Sequence, residues 1–399
     1  MSRRTQATNT TSTYGWVERA FHWSIAVLIV TAAVLGNLAY DAGFDTDAEL
    51  ARKAWLFSFH KTVGVTIFFI AVARILWAVT QPRPRPLHGG AEAMLAAAVH
   101  WLLYGSLVIV PLLGWTHHAT AEGFAPIWWP FGQGLPGLGK DAELSRTLGV
   151  LHTTFVKVLI ASVVLHVVGT IKHVVVDKDK TFARMWRGAD PGPLAAARAH
   201  AVPLIAAVGV WAATLVVGLA LVPAQTAVAS GTAQVEAESN WTVQEGTLSI
   251  TVTQLGSPVT GSFTDWQAAI DFDEDARADG THGTVEVSVA TGSLTLGSVT
   301  TQATGAEFLS AGEFPTATYT ADIRSEGAGY VADGTLALRG VEVPLTLPFT
   351  LEIVDDTATM TGQTALDRRD FGMGETYPDE SSVGFAVTLD VALTAVRAQ

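Results

Sequence analysis

Four histidines, His22, His60, His152 and His166, lie inside apolar segments long enough to cross a bilayer. Imidazoles are rare in lipid, and where they occur they usually mark a site. Neutral imidazole is a good ligand for haem iron, and its second ring nitrogen needs a hydrogen-bond partner that fixes the tautomer. Two such groups at each of two depths make the ligand set for two stacked b-type haems. That chemistry is one-electron transfer.

Elements of the right length exist to position them. Five segments qualify as spans: Trp16–Tyr40, Trp55–Val79, Met94–Trp115, Leu148–Val176 and Ala201–Val222. The first runs too long for a cleaved leader and has no small-residue cleavage site before the next span. Basic residues in the short loops set the expected orientation. Arg3 and Arg4, then Arg83 and Arg85, then Lys172, Lys178, Lys180, Arg184 and Arg187 place three connections in the cytoplasm. The intervening loops belong outside, including the aromatic run Pro126-Ile127-Trp128-Trp129-Pro130-Phe131. On this orientation His22 is near the inner end of the first span, and His60 and His152 are near the outer ends of theirs. His166 follows His152 by 14 residues, a rise of about 21 Å at a rotation roughly 40° short of four turns. His152 and His166 therefore share a face at two depths. Level-matching pairs His60 with His152 outside and His22 with His166 inside.

Other polar groups compete for the same space. His100 on the third span is level with His22 and His166. It can replace one of them or bond a propionate or quinone, but His166 has the better-spaced partner. His117 and His118 end the third span and read as a solvated interface pair, with proton transfer or metal binding as the alternatives. His173, at the inner end of the fourth span, suits a quinone head or a propionate. Arg74 either pairs with a haem propionate or snorkels to the surface.

Composition divides the chain in two. Residues 1–230 carry a net charge of +6 and nearly all the long apolar runs, while residues 231–399 carry −19 and no lysine, giving −13 in total. The acidic half is a poor candidate for nucleic acid, because phosphate would repel it. There is no cysteine among the 399 residues. That excludes thiolate-ligated clusters, thioether-attached haem and disulfides.

Residues 223–240 are rich in Ala, Thr, Ser, Gln and Glu and read as a flexible tether. From Trp241 the period becomes two. Thr284-Val285-Glu286-Val287-Ser288-Val289, Leu294-Thr295-Leu296 and Leu336-Ala337-Leu338 alternate between turn-forming clusters about ten residues apart. This pattern predicts an antiparallel barrel or sandwich, with a packed interior as the default and a ligand cavity as the alternative. The acidic stretch Asp271–Asp279 lacks the Gly and Glu spacing of a calcium loop and reads as a solvated loop.

Two resemblances follow from particular motifs. Phe21-His22-Trp23, Phe59-His60-Lys61 with Gly64, Leu151-His152, Leu165-His166 and the trailer Asp177-Lys178-Asp179-Lys180, Arg184-Met185 resemble the bacterial cytochrome b561 family over about residues 14–187. The resemblance implies a four-helix di-haem b-type carrier that exchanges electrons with quinones, with the same four histidines as ligands in the same pairing. The fifth span departs from it and reads as an export anchor. Gly261-Ser262-Phe263, Ile270-Asp271-Phe272-Asp273, the run Ala306 to Tyr319, Gly334 to Val341, and Arg369-Asp370-Phe371-Gly372-Met373 resemble the YceI-like family over most of residues 239–397. That resemblance implies a periplasmic lipocalin-like barrel that can hold a polyisoprenoid or quinone tail. The stretch Gly297–Gly305 lacks the charges this family often carries there.

The expected architecture is an α-helical transmembrane bundle, four di-haem core helices plus a fifth, followed by an all-β antiparallel lipocalin-like barrel. The expected boundaries are 1–190 for the cytochrome domain, 191–222 for the fifth span, 223–240 for the linker and 241–399 for the barrel. The protein is expected in the bacterial inner membrane, N-terminus cytoplasmic and barrel periplasmic. Its expected work is quinone-linked electron transfer, with a quinone or a small one-electron partner such as superoxide at one face and an unknown redox partner at the other. The cofactors are two haem b on His22, His60, His152 and His166, with Arg74, His100 and His173 as supporting contacts. The alternative is a membrane-anchored polyisoprenoid carrier without redox turnover.

Overall fold

The structure, a computed structural model, describes residues 6–123, 125–195, 201–222, 239–327 and 329–398. The chain divides into two compact units, one holding most of the helical residues and the other all the strands. Of the tether expected at 223–240, residues 223–238 lie outside the described residues.

The long helices are α1 Trp16–Asp41, α2 Asp47–Val79, α3 Gly90–Thr120 and α4 Ala142–Val175, followed by the short α5 Thr181–Arg187 and then α6 Val202–Ala220. Even the 19 residues of α6 span about 28 Å, close to the thickness of a hydrocarbon core. The apolar side chains Val27, Val30, Val34 and Leu38 stay exposed along α1, as do Val164, Val167, Val168 and Ile171 along α4. Stripes of that length suit helices whose outer faces meet lipid. Five helices are thus long and apolar enough to cross a membrane. α2, α3 and α4 start ahead of the expected spans, at Asp47, Gly90 and Ala142, whereas α6 falls within the expected 201–222. Asp141 caps α4, its carboxylate accepting from the Leu144 backbone N–H at 2.9 Å.

α3 and α4 pack on each other through Val110, Phe155 and Leu159, and α6 lies against both. Trp211 of α6 seats over Gly105, where any Cβ would fall 2.0 Å from the indole. At one end of the bundle, Arg184 of α5 donates to the carbonyls of Ser12 (2.9 Å) and Arg85 (3.1 Å), and Trp23 donates to Met185 O. The N-terminal segment, the loop between α2 and α3 and the segment after α4 are therefore gathered at one end. These are the three connections that carry the basic residues.

The strands are β1 Trp241–Gln254, β2 Ser257–Phe263, β3 Trp266–Phe272, β4 Gly283–Ala290, β5 Leu294–Thr295, β6 Thr316–Glu326, β7 Gly329–Leu338, β8 Val341–Val354, β9 Thr357–Asp367 and β10 Val383–Arg397. All neighbours are antiparallel. β1 closes on β10 from Trp241↔Arg397 to Gln254↔Val383, with bulges between Val243 and Glu245 and between Val252 and Gln254. The opposite edge of β1 is shared by β2 and by β3, whose Ile270 pairs with Trp241, so a ring of eight strands closes.

Two expectations about this unit change. Leu294-Thr295-Leu296 does not continue as a strand. Gly297, at φ 52°, turns the chain into the short helix α7, Thr300–Thr304, and the Leu296 N–H is taken by Thr300 Oγ1. Both leucines are still buried, so alternation reported burial and not strand. The interior is not a packed core either. It encloses a cavity of about 270 Å³ lined almost wholly by apolar side chains, among them Ile250, Phe263, Val287, Leu336, Leu347 and Leu389. At Asp271–Asp279 the loop is held by Arg277, which pairs with Asp271 at 2.7 Å and Asp273 at 3.1 Å.

One end of the barrel depends on Arg368, which is 3% exposed. Its guanidinium donates to the carbonyls of Met373, Gly374, Tyr377, Val383 and Gly384 at 2.7–3.2 Å. Alanine at this position strands several buried carbonyls, each costing about 1–3 kcal/mol. Arg368→Ala is therefore expected to destabilise the barrel by about 3 kcal/mol or more, seen as an earlier loss of β-sheet circular dichroism in urea. The helical signal is expected to hold.

Candidate functional site

The bundle brings the four histidines together in two pairs. The rings of His60 and His152 have centroids 6.3 Å apart, and those of His22 and His166 are 6.0 Å apart. Imidazole nitrogens bind a metal ion at about 2.0–2.1 Å and lie roughly 1.1 Å from the ring centre, so two imidazoles on opposite sides of one ion stand about 6.3 Å apart. Both pairs match that span. The second nitrogens at the first level are engaged as ligand rings require. His60 Nδ1 lies 2.8 Å from Ala32 O, and His152 Nδ1 lies 3.0 Å from Val110 O. Those two bonds leave the Nε2 atoms for a ligand role. The donor set therefore fits a haem iron at each level.

Two glycines make this possible. A Cβ at Gly36 would fall 2.9 Å from His60 Cε1, and one at Gly114 would fall 3.0 Å from His152 Cε1. Glycine inside a helix costs about 0.5–1 kcal/mol relative to alanine, so its presence mid-span calls for a reason. Here the reason is the approach of an imidazole edge to the neighbouring backbone. Both glycines escape a reading based on histidine spacing, although the helical penalty was the available signal.

The remaining expected site residues are placed as follows. His100 lies beside His166, with ring centroids 5.2 Å apart, short of the span of two rings facing each other across one iron, and its Nδ1 is 2.6 Å from Ala96 O. Arg74 does not snorkel. It is buried, its Nε and Nη2 donate to Glu18 Oε1 at 3.0 and 2.9 Å, and its guanidinium lies over the Tyr104 ring. Glu18 was invisible as a partner because acidic residues in a first helical turn are ordinary, and 56 residues separate it from Arg74. His117 and His118 are not a solvated pair. His118 is 5% exposed, with Nε2 3.0 Å from Gln133 Oε1 and Nδ1 3.3 Å from Lys61 Nζ, and His117 Nδ1 faces Ser145 O at 2.8 Å. His173 lies away from both pairs, among His88, Asp177 and Asp179. The Asp179 carboxyl sits at about 2. Partial burial works against its ionisation, and the hydrogen bonds from His88 and the Thr181 backbone outweigh it.

In the barrel, the lumen's polar groups collect around Gln254 and Gln302. Gln302 donates to Tyr377 Oη at 2.9 Å, and the buried Gln254 Oε1 has no hydrogen-bond partner among the described residues. Tyr319 points its hydroxyl into the wall, donating to Ala332 O and Leu345 O, and burial raises its ionisation well above the ordinary phenol range.

A bundle of lipid-facing helices with imidazoles paired across it at two levels is the architecture of a membrane b-type cytochrome, here with an appended antiparallel barrel. Residues 13–188 match the family model for prokaryotic cytochrome b561, and residues 225–395 match that for the YceI-like domain. The chain is 31% identical over 189 residues to cytochrome b561 homolog 2 of Escherichia coli K12, covering 45% of this chain and 93% of that one. This protein belongs to the prokaryotic cytochrome b561 family and carries a YceI-like domain. Similar solved structures include Burkholderia cenocepacia BcnA, 26% identical with a TM-score of 0.35, covering 38% of this chain and 96% of that one. Another is a polyisoprenoid-binding domain from Saccharophagus degradans, 12% identical with a TM-score of 0.31, covering 40% and 100%. Membership of the cytochrome family implies haem b and electron transfer in the membrane.

The glycine contacts give a direct test. Gly114→Val places a branched side chain on His152, and the ring must leave its position between α3 and the gap. The haem-to-protein ratio of the purified variant is expected to fall, while Gly134→Ala, with open space at its Cβ, leaves it unchanged.

Proposed function

We propose that this protein carries electrons between the quinone pool, or a small one-electron partner such as superoxide, and the opposite face of the membrane. Two haem b groups are assigned to His60 with His152 and to His22 with His166. The observation that carries this reading is the spacing of both pairs, 6.3 and 6.0 Å. Haem b supplies the one-electron chemistry, and the protein supplies position, potential and exclusion of water. Ala32 and Val110 carbonyls orient two of the ligand rings. Arg74, held by Glu18, places a cation near His22 and His166, and His100 offers a further polar contact at that level. Along α4 the two levels are about 21 Å apart, a separation suited to stepwise transfer through the bundle.

The barrel is assigned the binding of a quinone or isoprenoid tail. Its support is a cavity with an apolar wall and a few amide groups, Gln254 and Gln302, that suit a polar head. The basic loops gathered at one end of the bundle support an N-terminus in the cytoplasm, which puts the chain after α6 in the periplasm. Tethered there, the barrel raises the local concentration of its ligand. The competing role, a lipid carrier anchored by inert helices, predicts the same lumen but leaves the paired imidazoles without purpose.

Redox titration of the purified protein with a quinol separates the two. Reduced b-type absorption bands at two haems per chain are expected. His60→Ala and His166→Ala are each expected to lose about half of the haem, and the double variant nearly all of it. A haem-free preparation loaded with isoprenoid lipid would overturn the redox reading and leave the carrier.

A further inference from the structure

We propose that His88, His173, Asp177 and Asp179 form a binding site for a divalent transition metal ion, separate from both imidazole pairs. The four come from three places. His88 is in the loop before α3, His173 is in the last turn of α4, and the two aspartates are in the turn that follows it. One ligand atom from each lies within 4.8 Å of all the others. His88 Nε2 is 2.6 Å from Asp179 Oδ2, and His173 Nδ1 is 2.8 Å from that same oxygen and 3.0 Å from Asp177 Oδ2. The side chains of His173, Asp177 and Asp179 are 15%, 21% and 15% exposed, and that of His88 is 36% exposed, which leaves an entry path.

A hydrogen-bonded cluster is the competing account, and it differs from a metal site in how the charges are balanced. Two imidazole nitrogens converge on one carboxylate oxygen while the other oxygen of Asp179 accepts from the Thr181 backbone. The two rings also stack, centroids 5.0 Å apart and planes within 22°. With no ion between them, the carboxylates of Asp177 and Asp179 repel each other. Lys172 offsets only part of this, since its Nζ is shared between Asp177 and Glu92. A dication in the centre removes that conflict. Neutral rings then present lone pairs, and the two carboxylates balance the charge. Two imidazoles and two carboxylates make a set that suits Zn²⁺ and its neighbours better than Mg²⁺ or Ca²⁺, which favour all-oxygen ligands. The ion would clamp the loop before α3 to the end of α4.

The test uses the purified full-length protein, treated with chelator and dialysed, its haem spectrum recorded before and after. Isothermal titration with Zn²⁺, backed by elemental analysis after gel filtration, is expected to give one equivalent lost in His88→Ala. Asp179→Asn is expected to weaken binding at least tenfold, with the haem spectrum of both variants unchanged. Zinc is also expected to raise the temperature of unfolding in the parent and not in the variants. Absence of stoichiometric binding by the folded parent overturns the site. So does binding that persists undiminished in both His88→Ala and Asp179→Asn, which would place the ion elsewhere, for example at His117 and His118.

Discussion

A polar ring inside a bilayer has no water to fall back on, so every nitrogen must find a partner from the protein or from what the protein binds. An unmet polar group in such surroundings costs several kcal/mol. His60 and His152 meet half of that demand with the carbonyls of Ala32 and Val110. The other nitrogens are left for a ligand, and the two ring centres stand 6.3 Å apart. Once this is required, much of the bundle follows. α1 must pass α2 closely enough for Gly36 to touch His60, and α3 must pass α4 closely enough for Gly114 to touch His152. The helices are set by imidazoles that need neighbours, as well as by apolar packing.

The same constraint explains the buried charges. Glu18 and Arg74 lie in spans where neither alone would be tolerated, and they answer each other. A pair of this kind contributes little net stability, but removing one partner leaves an uncompensated charge. The pair therefore locks α1 against α2 more than it strengthens them. α6 solves a different problem. It has no polar side chain to satisfy beyond Trp211 and Thr214, so it is placed by shape, with the indole in the notch left by Gly105.

The barrel inverts the arrangement. Its apolar face surrounds a cavity, and its polar groups are pushed into the wall or collected at Gln254, Gln302 and Tyr377. Ring closure satisfies the strand edges, bulges shift the register between β1 and β10, and Arg368 ties down the irregular segment between β9 and β10. A wide apolar lumen forfeits packing energy that a filled core would have. A protein that keeps such a space has a use for it.

Much of this was legible in the residues alone. Helix length, apolarity and the distribution of basic loops determined five spans, because backbone groups in lipid leave few alternatives to a helix. The 14-residue spacing of His152 and His166 determined their shared face, because helical pitch is rigid. Period-two alternation marked the change to strands at Trp241. Only the tertiary structure decided the rest. Leu294 and Leu296 alternate as a strand would, yet Gly297 takes the second out of the sheet. Alternation reports which side is apolar, and it is silent on whether that side is filled, so the lumen appeared only when the ring closed. Glu18 with Arg74, Gly36 with His60 and His88 with Asp179 are meetings between residues 24 to 91 positions apart. Local sequence sets the angle at which a side chain leaves its helix, but what it meets is set by how separate helices pack.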